Sequence, residues 1–91
     1  MRLRYTHLAL ADLARIHAYI AESNPRAAPA VIRRIRNAIA RLAVFPESGR
    51  VGVVAWTREL VVVGSPYIVV HVLHDDNVEI VAVFHGAQDR G

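Results

Sequence analysis

The spacing of apolar residues changes period twice along this chain of 91 residues. Residues 2 to 5 alternate, Arg2 and Arg4 on one side and Leu3 and Tyr5 on the other, which is the two-residue repeat of a short strand. The repeat then lengthens. Ala9, Leu13, Ile16 and Ile20 recur at three and four residues and so share one helical stripe. Thr6 precedes them, placed to cap the helix by accepting a backbone N–H bond. Asp12 and Arg15 stand off the stripe, one turn apart, and are placed to pair. Asn24-Pro25 ends this helix and offers the next one a cap and a first-turn proline. Ala28, Val31, Ile32, Ile35, Ala38, Ile39 and Leu42 repeat the helical spacing, with Arg33, Arg34, Arg36 and Arg41 on the other side. Pro29 leaves two readings: the second helix starts later than Pro25, or its first turn is distorted.

Pro46 and Gly49 stop the second helix, and residues 44 to 55 read as a connecting loop. Three strands follow, at about 56–63, 67–74 and 78–85, turned by Gly64-Ser65-Pro66 and by Asp75-Asp76-Asn77. The predicted fold class is α+β: an N-terminal strand, a two-helix hairpin and a three-strand antiparallel meander, with the helices packed on one face of the sheet. Residues 1–91 make a single domain.

Two helices cover one sheet face and leave the other open. In the last strand Val78, Ile80, Ala82 and Phe84 share a face, which reads as core. With the middle-strand set that contains Ile68 turned to the helices, the open face carries Tyr67, Val69, His71, Leu73, Val81, Val83 and His85. Such an apolar field is expected to meet a partner.

Composition sharpens this. Apolar residues make up 54% of the chain, generous for so small a body. With no cysteine, disulfides, thiolate metal sites and cysteine nucleophiles are excluded. His71 and His74 fall on opposite faces of a strand, so no metal pair is expected, and no cofactor. No run is apolar enough to span a membrane, and the N-terminus lacks the apolar core of a signal peptide, so the expected location is cytoplasmic. All eleven basic residues are arginine. Residues 1 to 41 hold eight of them against two acids, and residues 42 to 91 hold three against six. The basic first half suggests an acidic partner, nucleic acid or protein, or else a solvated helix face.

Four stretches taken together, ALADLARIHAYIAESNPRAA (9–28), FPESGRVG (45–52), WTRELVVVGSPYIVVHV (56–72) and VEIVAVFHGAQDR (78–90), resemble the ParE branch of the RelE/ParE toxin superfamily. The resemblance implies a toxin of a bacterial type II toxin–antitoxin pair, held by an acidic antitoxin, with a toxin–antitoxin oligomer of higher order as a further possibility. Its ParE-like members inhibit DNA gyrase; its RelE-like members cut mRNA on the ribosome. Cleavage of RNA requires a base, an acid and cations around the phosphate. Glu59, Arg58 and His85 are the candidates for that role, with His71, Arg50, Tyr67 and Arg90 beside them, yet Tyr67 stands where RelE-like nucleases place a cation. The ParE-like reading is therefore the primary one, and a non-toxic interaction module is a third. Under it, Val69, His71, Leu73, Val81 and Val83 are the expected antitoxin contacts. Arg33, Arg36, Arg41, His85 and Arg90 are the expected target contacts. Trp56 is a candidate interface anchor.

Overall fold

Thr6 converts the first strand into the first helix. The structure, a computed structural model, describes residues 1–87. Strand β1 (Arg2–Tyr5) ends at Thr6, whose hydroxyl oxygen accepts the Ala9 N–H and so caps helix α1 (His7–Ser23), as the sequence predicts. Asn24 closes α1 through its own N–H to the Ile20 carbonyl and receives the Ala27 N–H on its side-chain oxygen. Helix α2 (Ala27–Arg41) starts two residues beyond Pro25. Pro29 is therefore its third residue, where the N–H has no intrahelical acceptor to lose. The later start is the reading that holds, and the proline costs α2 no backbone bond.

The sheet has five strands in the order β1-β5-β4-β3-β2, comprising β2 (Arg50–Val51), β3 (Arg58–Val61), β4 (Tyr67–Leu73) and β5 (Asn77–His85). The meander is antiparallel as predicted, and β1 joins it parallel to β5. The short β2 lies inside the expected loop. Gly49, at φ +95°, brings the backbone so close to the Glu59 carbonyl that an added Cβ would sit 2.6 Å from its oxygen.

The two helices pack on one face, and the core joins Leu13, Ile35, Ile39 and Leu42 to Val62, Val69, Val78 and Ile80. The sidedness of the two long strands differs from the sequence reading. Val70 pairs with Ala82, but the next residue, His71, pairs with Ile80, so Val81 is an extra residue in β5. Alternation from Val78 and Ile80 runs correctly as far as this bulge and then inverts. Val83, not Ala82, faces the helices, and opposite it so does Val69. The set Tyr67, Val69, His71 and Leu73 is thus the helix side, and Ile68, Val70 and Val72 the reverse.

The reverse is not bare. Ile68 and Val70 are buried in the central strand, flanked by Val61, Glu59, Ala82 and Phe84 of the neighbouring strands. Glu59 accepts bonds there from Arg50 (3.1 Å) and the Val53 N–H (3.4 Å), fastening the β2–β3 loop to the sheet. The neck of that loop is closed by the Gly52 N–H to the Thr57 carbonyl (2.8 Å) and by the Thr57 hydroxyl to the Val54 carbonyl (2.5 Å). Its tip exposes Val51, Val53, Val54 and Trp56; the tryptophan is 90% accessible and sits at φ +69°, a left-handed backbone unusual for its type.

His71 is fully buried, and neither ring nitrogen meets a hydrogen-bond partner among the described residues. Burial holds its pKa below the ordinary value, against the opposing influence of the nearby Ser48 backbone and with the Arg58 charge pushing further down. A depressed folded pKa means that the unfolded chain takes up the proton first. The neutral ring's contribution is full above the ordinary imidazole pKa, about 6.5, and is lost on acidification below it. The melting temperature should therefore drop between about pH 7 and pH 5. His71→Leu should reduce that drop while the protein stays folded at pH 7, which thermal melts across pH will check.

Candidate functional site: the groove between the first helix and the free end of the last strand

β1 pairs with β5 only from Asn77 to Ile80, so the outer edge of β5 from Val81 onward has no strand beside it. Helix α1 crosses that edge instead. The Thr6 N–H and hydroxyl both donate to the Ile80 carbonyl at 3.0 Å, and the hydroxyl also reaches the Val81 carbonyl at 3.0 Å. Asp12 is buried rather than solvated. One of its oxygens accepts the Val83 N–H at 2.9 Å and the other is held by Arg15. A carboxylate in so sheltered a place is tolerated because both of its oxygens are bonded.

Beyond these fastenings the helix and strand diverge and leave a groove of about 730 Å³. Leu8, Ile16 and Tyr19 line it from α1, and Tyr67, Phe84 and His85 from the sheet, with Arg15 at its side. The His85 ring meets the Tyr67 ring edge-on, 5.5 Å between centres, and its Nδ1 accepts the Ala87 N–H at 3.0 Å. Burial raises the Tyr67 hydroxyl above its usual pKa, and Tyr19 nearby adds to this. The groove therefore offers aromatic and aliphatic walls and a strand edge with one neutralised carboxylate. This is a lining suited to an amphipathic segment.

The three nuclease candidates do not converge. Glu59 points to the reverse side, where it is bound to Arg50. Arg58 points to the helix side and donates to the Glu47 carbonyl at 3.2 Å. Arg58 stands opposite His71 and His85 opposite Tyr67, four residues apart along β4, or about 13 Å at the rise of a strand. Among the described residues no three or more His, Asp or Glu side chains gather as a metal site would require.

The expected antitoxin contacts need correction. Val69, His71 and Val83 lie buried under the helices, Leu73 packs against the same core, and Val81 is half-buried at the bulge. Val83 faces inward because the bulge inverts β5 beyond Val81, and Val69, His71 and Leu73 do so because the helices cover the face of β4 opposite to the one that the sequence reading assigned to them. The expected target contacts are divided. Arg33 and Arg41 border a second groove on α2, and Arg36 lies over the Tyr5 ring, 5.1 Å from its centre. His85 belongs to the first groove, and Arg90 lies outside the described residues. Leu8 and Tyr19 went unnoticed in the sequence although a signal was present. At helical pitch Leu8, Asp12, Arg15 and Tyr19 form a second stripe, about 100° from the core stripe.

Comparison with known proteins gives a consistent result. The family described as ParE toxin of type II toxin-antitoxin system, parDE, matches residues 3–90. The candidate toxin Y4kP of Sinorhizobium fredii is 45% identical over 87 residues, covering 96% of this chain and 90% of its own. Toxin RelE2 of Caulobacter vibrioides is 42% identical over 84 residues, covering 92% and 93%. A solved chain of the chromosomal ParDE system of P. aeruginosa superposes with a TM-score of 0.86 at 22% identity, over 93% of this chain and 95% of that one. A chain of the RelBE2 toxin–antitoxin complex of Mycobacterium tuberculosis gives 0.58 at 22% identity, over 92% and 95%. At such identity the two structures speak for the fold.

Asp12 is the fastening of this site. Asp12→Ala leaves the Val83 N–H buried without an acceptor and should cost about 1–3 kcal/mol of stability, measured by denaturant unfolding. Leu8→Asp, at an exposed position of the same groove, should change stability by less than about 0.5 kcal/mol.

Proposed function

Since the chain belongs to the ParE toxin family of type II toxin–antitoxin systems, we propose that it inhibits DNA gyrase by protein binding, and that an acidic antitoxin neutralises it by filling the α1–β5 groove. One observation carries the first part. Glu59, Arg58 and His85, the residues best suited to acid–base cleavage of RNA, lie on different faces and ends of the sheet. Phosphoryl chemistry depends on preorganised charge around the phosphate, and these three residues do not gather around one point. An open apolar groove stands where a partner segment fits, and the net charge of +3 favours an acidic one. The name of one relative, Toxin RelE2, gives the second reading, ribosome-dependent mRNA cleavage, its specific support.

Purified chain in excess should abolish supercoiling by DNA gyrase or accumulate cleaved complexes. Full gyrase activity under those conditions rejects the primary reading. Primer extension on translated mRNA should show no new cleavage ends; A-site cuts lost in Glu59→Gln would establish the second reading instead. Leu8→Asp with Tyr19→Asp should weaken antitoxin binding by at least about tenfold, about 1.4 kcal/mol, in titration calorimetry. Unchanged affinity moves the antitoxin to another surface.

A further inference from the structure

The outer face of α2 is an arginine surface without counter-charge. No acid stands between Glu22 and Glu47 in the sequence. At helical pitch Arg26, Arg33, Arg34 and Arg41 fall within an arc of about 100°, on the side away from the buried Ile35 and Ile39. All four are exposed. Ion pairs among the described residues join Arg4 to Glu79, Arg15 to Asp12 and Arg50 to Glu59, and these four arginines take no part in them. Like charges along one helix face repel each other, and an anion laid beside them relieves that repulsion.

The charges are also placed in order. Arg26 and Arg33 stand on one flank of the arc, Arg34 and Arg41 on the other, and Ala30 and Asn37 lie between them. Short side chains thus fill the middle of the face and long cationic ones its two sides. From Arg26 to Arg41 the face runs about 22 Å at the rise of a helix. The second groove, about 480 Å³, lies on the Arg34 flank, and its lining includes Val62 and Val63 but no carboxylate. Gly64 holds the turn there at φ +80°, and the Arg34 guanidinium rests over it, 2.8 Å from where an added Cβ would lie.

We infer that this face of α2 enters the major groove of duplex DNA, with Ala30 and Asn37 toward the base edges and the arginines on the phosphates of the two strands. The major groove, about 12 Å wide, admits an α-helix. Arginines on both flanks then reach the backbone on either side, where a guanidinium holds phosphate bidentately. The major groove of an RNA duplex is too narrow to be entered in this way. Unpaired strands are held by stacking on aromatic side chains, and the arc has none. A protein partner fits less well, since protein interfaces centre on apolar and aromatic anchors and shed charge from their middle. Of the residues lining the groove, Val63 alone is a large apolar side chain left exposed. The surface lies apart from the α1–β5 groove, and its occupancy does not depend on gyrase being the target.

The test uses the full chain and a fluorescent mixed-sequence DNA duplex of about 20 base pairs, followed by anisotropy. The duplex should bind, and four phosphate contacts should make its affinity fall roughly a hundredfold between about 50 and 200 mM salt. Arg33→Gln with Arg41→Gln should reduce the slope of log affinity against log salt by about two, with the far-ultraviolet spectrum retained. Arg2→Gln, at an exposed position of β1, should leave the slope unchanged. Ala30→Trp keeps the charge but fills the middle of the face, and should weaken binding at least about tenfold. An RNA duplex of the same length should bind at least about tenfold more weakly than the DNA. Absence of binding to the DNA duplex at low salt overturns the proposal. So does an unchanged slope in the double variant, an equal loss of slope in Arg2→Gln, or unchanged affinity in Ala30→Trp. An RNA duplex, a single DNA strand or a polyglutamate peptide of matched charge that binds as tightly as the DNA duplex overturns it as well.

Discussion

The extra residue at Val81 decides which residues of β5 the helices cover. Up to Ile80, β5 offers Val78 and Ile80 to the core; after the bulge it offers Val83. The same irregularity falls where β1 stops and α1 begins, so the strand edge passes from a strand neighbour to a helix neighbour within two residues. Thr6 and Asp12 make that exchange possible. Each supplies polar atoms to backbone groups that would otherwise lie sheltered and unpaired. A bulge bends its strand and increases local twist, which suits an edge that must turn away from β1 and leave a groove behind it.

With Ile68 and Val70 already sheltered, the grooves of the molecule lie at the margins of the sheet rather than on its open face. The two margins are chemically unlike. At β5 the carboxylate and guanidinium of Asp12 and Arg15 cancel, and aromatic rings set the character of the groove. Just after β3, Val63 is exposed in a groove that Arg33, Arg34 and Arg41 border. The basic first half of the sequence is thus concentrated along α2, except where Arg36 is occupied by Tyr5.

Much of this was legible in the residues. The capping threonine, both helical stripes and the three strands of the meander follow from local periodicity, which depends only on neighbours along the chain. The family likeness followed from whole motifs in order. Three things were not legible, for definite reasons. The bulge arises from pairing between β4 and β5, and the run Val81-Ala82-Val83-Phe84 is apolar at every position, so no polar residue marks the lost alternation. Asp12 looked like a surface partner of Arg15 because its acceptor role toward Val83 spans 71 positions of sequence. Glu59, Arg58 and His85 looked like a possible site because residue types were counted without register. Pairing sends the first two to opposite sides and the third to the far end of β4.

The fastened β2–β3 loop has a practical consequence. Trp56 is the chain's one tryptophan, and it projects into water from a neck closed by Gly52 and Thr57. Indole emission from the native protein therefore arises wholly at this tip. Contact there with another molecule would shift its colour toward the blue, whereas occupation of either sheet margin alone would leave it near that of the free side chain. The molecule thus carries a built-in optical reporter for its loop, separate from the grooves, that needs no dye or mutation.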